Sequence, residues 1–383
     1  MTGDARPRPE KGKGDRGRVV ASAETLGRLV AGLPGRRAEA MAAVNGLFGD
    51  VLADQGSPLA TPMTLAIGGT NLPRGRDALS DALRDVVPQV GPRICLLAHG
   101  LMCTESIWQF SGDRATTFGT LLARDHGVTP VTLRYNTGRH ISANGRDLAL
   151  LLRELVRVWP VRVHEIDLIG HSMGGLVIRS ACHYATSRRP RDGYLRFGRS
   201  WITKVRRVVL VGTPNTGAPL EMIANLTSTV LWSLPIPATW LVGFGLDRRS
   251  AGIKDLRFGA VLDEDWQGQD PGAIDRPPPH RVRPARRADY LMIAGSVSSD
   301  PEHPLTRIIG DGLVTRSSAT GAAHDAGCDE VFPGATAHVF PKVTHLALAS
   351  NPEVYAAIDA WWLTPPTTRS AFRRRAAASG TRP

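Results

Sequence analysis

Cysteine and lysine are both scarce in this 383-residue chain. Its four cysteines, Cys95, Cys103, Cys182 and Cys328, form no C-x-x-C pair and no zinc-like spacing, which argues against a disulfide scaffold and against a structural zinc site. Only five of the 47 basic residues are lysine, so the positive charge is carried by arginine. Aromatics make up 6%. A clean membrane-spanning run is also missing. The nearest approach, Met222 to Leu246, holds 25 residues without a charge and includes Trp232, Trp240 and Phe244, but Pro235 and Pro237 interrupt it. Prolines at that position would break the backbone ladder of a spanning helix. We read the segment as a pair of short apolar helices covering a cleft. The first residues carry no apolar core of the kind a secretory signal has, so the expected location is cytoplasmic.

What is present is the material of a folded domain: 42% hydrophobic and 21% charged residues, with 40 glycines and 28 prolines. That excludes global disorder and a collagen-like fibre. The net charge of +12 points at first to a polyanion partner, but residues 1–18 carry a net +3 and residues 369–383 a net +5, leaving only +4 between them. The carboxyl-terminal run contains a single aromatic, Phe372. No specific nucleic-acid binding is therefore expected. Weak peripheral membrane association through the apolar segment or the basic tails is the partner interaction the charge allows.

Along the chain, an apolar stripe at helical spacing (Met41, Val44, Leu47, Phe48, Val51) predicts a packing helix over 38–53. From Arg93 onward short apolar runs at 93–98, 130–135, 164–170, 206–212, 290–295 and 337–343 read as buried strands. Amphipathic stretches at 145–159, 173–187 and 352–363 lie among them. Buried strands alternating with helices predict an α/β fold with a mostly parallel sheet covered on both faces. Residues 263–287, with Pro277-Pro278-Pro279 and several arginines, read as an exposed loop. The expected organisation is a disordered basic tail over 1–18, a helical extension over 19–90, a main domain over 91–364, and a second disordered basic tail over 365–383.

The chemistry-bearing pattern is Gly170-His171-Ser172-Met173-Gly174, with a further glycine at Gly175, between an apolar strand and an amphipathic helix. In that setting G-x-S-x-G is a nucleophile elbow: the glycines let neighbouring elements approach, and the serine hydroxyl stands beside the free N–H groups of a helix start. Acyl transfer also needs two backbone donors for the developing oxyanion. One is expected from Met173, just after the serine. The other is expected from Leu101, which follows His99-Gly100 at the end of an apolar strand. His99 itself precedes the serine and is read as a structural histidine that bonds its own loop.

An activated serine needs a base, and the base an orienting carboxylate. His345 lies in a turn after an apolar run and before the last helix, and is the favoured base over His324 and His338. Asp311, between Gly310 and Gly312, is the favoured acid, with Asp300 as its competitor and Asp325 and Asp329 in a Gly/Ala loop. The order Ser172, Asp311, His345 is that of α/β hydrolases.

On 98-AHGL-101, 170-GHSMGG-175, 211-VGTPNTGAP-219, 310-GDGLV-314 and 344-THLAL-348, the chain resembles α/β hydrolases of the lipase/esterase type. It lies near bacterial proteins similar to GPI inositol-deacylase-like (PGAP-type) and lecithin–cholesterol-acyltransferase-like hydrolases. The resemblance runs from about Arg93 to Trp362. It implies the α/β-hydrolase fold with a cap inserted at about 217–287, Ser172 as nucleophile, Asp311 as acid, His345 as base, Leu101 and Met173 as oxyanion hole, and no metal or organic cofactor. It implies a serine esterase or lipase with a small-molecule or lipid ester as substrate, and the apolar, aromatic segment from Met222 to Leu246 argues for a lipophilic ester. An acyltransferase using the same triad and a non-catalytic binding protein of the same fold are the alternatives.

Overall fold

Along the central strands, alternate side chains feed two separate hydrophobic layers, because successive residues of a strand point to opposite faces. In the computed structural model, residues 36–85, 90–186, 201–232, 249–270, 273, 276–300, 310–321, 332 and 334–364 are described. The tails expected at 1–18 and 365–383 lie outside them, as do Trp240, Phe244, His324, Asp325, Cys328 and Asp329.

The core strands are β3 (Arg93–Ala98), β6 (Thr129–Arg134), β7 (Glu165–His171), β8 (Val205–Val211), β9 (Asp289–Ser296) and β10 (Thr336–Pro341). All six run parallel, in the order β6-β3-β7-β8-β9-β10. Ile94, Leu96, Ile166, Leu168, Val208, Leu210 and Met292 point into one layer. There they meet α4 (Ile141–Val158) and α5 (Met173–Thr186) through Leu148, Leu152, Leu176 and Val177. Cys95, Leu97, Ile169, Val209, Leu291 and Ile293 point into the other. Here Phe118 and Leu122 of α3 (Phe118–His126) and Val354, Ile358 and Trp362 of α9 (Pro352–Trp362) cover them. Each fully buried aliphatic side chain contributes roughly 1.5–3 kcal/mol, so the two layers together hold the sheet between its helices.

The predicted strands and helices from Arg93 onward appear within a few residues of their expected limits. The segment before them differs from expectation. Residues 19–90 were expected to form a helical extension; the described part contains α1 (Arg37–Asp54) and α2 (Arg76–Asp85), but also β1 (Thr64–Ile67) and β2 (Thr70–Leu72). β1 pairs antiparallel with β6 and β2 antiparallel with β1, so both belong to the eight-stranded sheet. A domain boundary at 91 would cut that sheet. The strands are short, and the Gly68-Gly69 pair joining them takes positive φ at both positions (56° and 83°), as a two-residue hairpin turn requires. A separate hairpin, β4 (Gln109–Phe110) with β5 (Asp113–Thr117), precedes α3.

Between β8 and β9 stand α6 (Leu220–Trp232) and α7 (Ala251–Phe258). The first half of the apolar segment is thus helical, and residues 233–248 lie outside the described part. No described helix is long and apolar enough to cross a membrane. Residues 263–287 are not a simply exposed loop: Val282 and Ala285 are buried in the core. The Asp265 carboxylate accepts hydrogen bonds from the backbone N–H groups of Val261, Leu262 and His280, which pins the segment to the body. A short helix, α8 (Arg316–Thr320), lies against β9.

Candidate active site

The turn from β7 into α5 puts Ser172 in the left-handed region, with φ 55°. For a residue with a Cβ this costs on the order of 1–3 kcal/mol and persists only where the surroundings impose it. They do so through the backbone. Ser172 N–H donates to Val211 O at 2.8 Å, and Gly175 N–H donates to Ser172 O at 3.0 Å. Helix α5 begins directly on the end of β3: a Cβ at Gly174 would lie 2.3 Å from Ala98 O and 2.6 Å from His99 O. Only glycine fits there, which is the steric content of the motif.

Asp311 and His345 meet at the carboxyl ends of β9 and β10. His345 Nδ1 lies 2.8 Å from Asp311 Oδ2, and His345 N–H donates to Asp311 O at 3.0 Å. The other carboxylate oxygen, Oδ1, accepts from Leu313 N–H at 3.0 Å and Val314 N–H at 2.8 Å. With both oxygens accepting, the proton of the imidazole sits on Nδ1 and Nε2 presents its lone pair. Asp311 and His345 are 1% and 4% exposed, so the pair is shielded from water. Asp300, the competing acid, is exposed, its N–H bonded to Ser298 Oγ at 3.1 Å. It is Asp311 that the fold brings to His345.

Ser172 and His345 flank the same dipeptide. Ser172 is bonded to the Val211 carbonyl, and a Cβ built on Gly212 would lie 3.1 Å from His345 Cε1. Ser172 Oγ and His345 Nε2 are both buried, and neither has a hydrogen-bond partner among the described residues, so the two are not bonded to each other. Such contacts are commonly loose without substrate and tighten when it binds.

Leu101 and Met173 are buried. Met173 follows the serine directly, and a Cβ on Gly100 would sit 2.8 Å from Ser172 Cβ, so the Leu101 amide is one residue from the serine side chain. His99 is held within its own loop: its Nδ1 lies 2.9 Å from Gly100 O, and its ring stacks on Tyr135 at 4.7 Å. Tyr135 OH donates to His99 O at 2.8 Å. Burial lowers the basicity of His99 to about 4. His338 lies in β10, lining a cavity of about 390 Å³ with Arg207, Tyr290 and Trp361 at the amino ends of the last strands, away from Ser172.

His171 is the site residue that sequence reasoning passed over. Its Nε2 donates to His345 O at 3.0 Å, and the two rings lie 4.9 Å apart. Burial, and next the nearby charge of His345, lower its basicity to about 3, so it stays neutral as a prop for the His345 backbone. Its place inside the G-x-S-x-G motif was the only signal. Among the described residues no three His, Cys, Asp or Glu side chains stand together as metal ligands.

The sheet order, the left-handed elbow and the position of both at the carboxyl edge define the class of α/β hydrolases. The profile of the alpha/beta hydrolase family matches residues 95–358, more than half of the chain, and the chain belongs to that family. Among solved structures, the mature form of a Bacillus licheniformis lipase is similar at 18% identity, covering 71% of this chain and 91% of that one, with a TM-score of 0.42. A malate-bound esterase from Thermogutta terrifontis is similar at 18% identity over 71% and 90% of the two chains, with a TM-score of 0.39. An inhibited esterase B from Lactobacillus rhamnosis is similar at 14% identity over 95% and 100%, with a TM-score of 0.38. No curated protein matches the chain.

Proposed function

We propose that this protein is a serine hydrolase that cleaves lipophilic carboxylic esters through an acyl-enzyme on Ser172. The observation that carries the reading is the buried 2.8 Å pairing of His345 Nδ1 with Asp311 Oδ2 beside the strained Ser172 elbow. Ser172 Oγ attacks the ester carbonyl as His345 Nε2 takes its proton, and Asp311 holds the imidazole in the tautomer that allows it. The Leu101 and Met173 N–H groups receive the oxyanion of the tetrahedral intermediate. The intermediate collapses as His345 returns the proton to the leaving alkoxide, releasing the alcohol and leaving the acyl group on Oγ. Water, deprotonated by the same imidazole, then attacks the acyl-enzyme and frees the acid and Ser172. The lipophilic substrate class is supported by α6, which carries one charged residue, Glu221, in its 13 and presents half-buried Met222 and Val230 beside the core.

A fluorophosphonate probe tests the nucleophile: it should label the native protein and fail on Ser172→Ala, and folded native protein that resists labelling sinks the reading. p-Nitrophenyl esters of graded acyl length test the substrate class, with preference for longer chains expected. Product analysis with a competing alcohol separates hydrolysis from acyl transfer.

A further inference from the structure

We propose that Thr137 and Gly46 are positioning residues for the oxyanion hole, and that helix α1, which precedes the family-matched segment, thereby belongs to the catalytic machinery. The proposal rests on the serine-hydrolase reading above.

Cys103 N–H donates to Gly100 O at 3.2 Å, closing a four-residue turn over 100–103. Met102, its third residue, has φ 58°, whereas Leu101 is not among the positive-φ residues. That is the type II pattern, whose third position strongly favours glycine. A methionine there reverts to another conformation unless something outside the turn holds it.

Two contacts do so. Met102 N–H donates to Thr137 Oγ1 at 3.2 Å, which fixes the direction of the 101–102 peptide. The Met102 side chain lies against Gly46 of α1 so closely that a Cβ on Gly46 would be 2.3 Å from Met102 Cγ. The loop that carries Thr137 is seated on the same helix: Asn136 Nδ2 donates to Gly49 O at 2.7 Å, and a Cβ on Gly138 would lie 2.2 Å from Asn45 O. The helix is tied down in turn by Ser250 Oγ, which donates to Gly46 O at 2.7 Å.

The consequence reaches the chemistry through the planarity of the peptide bond. Gly100 C=O and Leu101 N–H belong to one rigid trans unit, so the direction of the carbonyl sets the direction of the N–H. Gly100 O is held by Cys103 N–H at 3.2 Å and faces His99 Nδ1 at 2.9 Å, which fixes the 100–101 peptide while the turn stays closed. Without the Thr137 bond, Met102 leaves its left-handed conformation by opening the turn, which breaks the Cys103–Gly100 bond and frees the Leu101 donor to turn away from the serine. Thr137 thus acts through Met102 on Leu101 and touches no substrate atom itself.

The test compares Thr137→Val, which removes the acceptor at nearly constant volume, with Thr137→Ser, which keeps it. Rates on a short-chain p-nitrophenyl ester are normalised to sites titrated by fluorophosphonate, and affinity for a trifluoromethyl ketone, whose adduct carries the oxyanion, is measured beside them. Thr137→Val should lower kcat about tenfold, a fraction of the 10²–10³ that removal of an oxyanion donor costs, and weaken the ketone by a similar factor, with KM within about twofold. Thr137→Ser should retain most of both. The double variant Gly46→Ala/Met102→Ala, in which the added methyl has room, should exceed Gly46→Ala in kcat. Wild-type kcat and ketone affinity in Thr137→Val, or equal losses in Val and Ser, overturn the proposal while Ser172→Ala stays inactive and the hydrolase reading stands. A native chain that no serine probe labels removes both.

Discussion

Asp311→Asn is the substitution on which the site stands or falls. The native carboxylate is fully engaged: Oδ1 takes the backbone N–H groups of Leu313 and Val314, and Oδ2 takes His345 Nδ1 at 2.8 Å. Asparagine is nearly isosteric and has one oxygen and one NH2. Two backbone donors claim the oxygen, because turning the NH2 toward them would set donors against donors in a site that is 1% exposed. The NH2 then faces His345 Nδ1 and can only donate to it. The imidazole must move its proton to Nε2, the nitrogen that should accept from Ser172. The fold is kept and the base is lost. A carboxylate-to-amide change of this kind costs on the order of 10⁴ in kcat, about 5.5 kcal/mol at 1.36 kcal/mol per decade. The assay is ester hydrolysis under saturating substrate, with circular dichroism and thermal unfolding to establish that the variant is folded. Asp300→Asn serves as the comparison and should stay near the native rate. An Asp311→Asn enzyme within tenfold of native would refute the tautomer argument, and a large loss in Asp300→Asn would move the acid to that residue.

Three further outcomes follow from the packing. Burial keeps His99 and His171 neutral, with basicity lowered from 6.5 to about 4 and about 3, so as pH falls below 6.5 the unfolded chain binds more protons and stability drops. Asp167 acts in the opposite sense: burial raises its carboxyl from 3.8 to about 7, so the folded chain binds the extra proton over that window and the Asp167 contribution is lost as pH rises through 7. Urea midpoints of Asp167→Asn should therefore gain most on the native protein at pH 8 and fall more steeply toward pH ~4.5; a shallower acid slope than native contradicts this assignment. Gly174→Ala puts a methyl 2.3 Å from a backbone oxygen that cannot yield, and should cost ~3 kcal/mol or more. Gly112→Ala, at φ 86° with open space around it, should cost about 1 kcal/mol, and equal melting temperatures for the two would be the contrary result. Ser250 caps α7 by accepting from Ile253 N–H at 3.3 Å and is buried while donating to Gly46 O, so Ser250→Ala should lose about 1–2 kcal/mol by chemical denaturation.

The strands from Arg93 onward and the Ser172 elbow were legible because their signals are local. A strand buried on both faces must be apolar throughout, and a serine between a strand and a tight-packing helix must be ringed by glycines. The short strands β1 and β2 were not legible by pattern, since three or four residues hold no period; only the Gly68-Gly69 turn marked them. The tight turn between Gly310 and Gly312 favoured Asp311 over Asp300, and only the fold shows that Asp311 reaches His345, across 34 residues of sequence, while Asp300 lies exposed. The support of the 100–103 turn lay further still beyond local reading. Gly46, Met102 and Thr137 carry no shared motif, and in isolation a glycine in the middle of a helix reads as a weak point. Scarcity of cysteine and lysine, the location of the charge and the local chemistry of the elbow are properties of neighbouring residues, and the amino-acid order alone determines them. Which carboxylate meets His345, and which helix holds the 100–103 turn in its strained form, are contacts between distant segments, and those exist only once the sheet has brought the segments together.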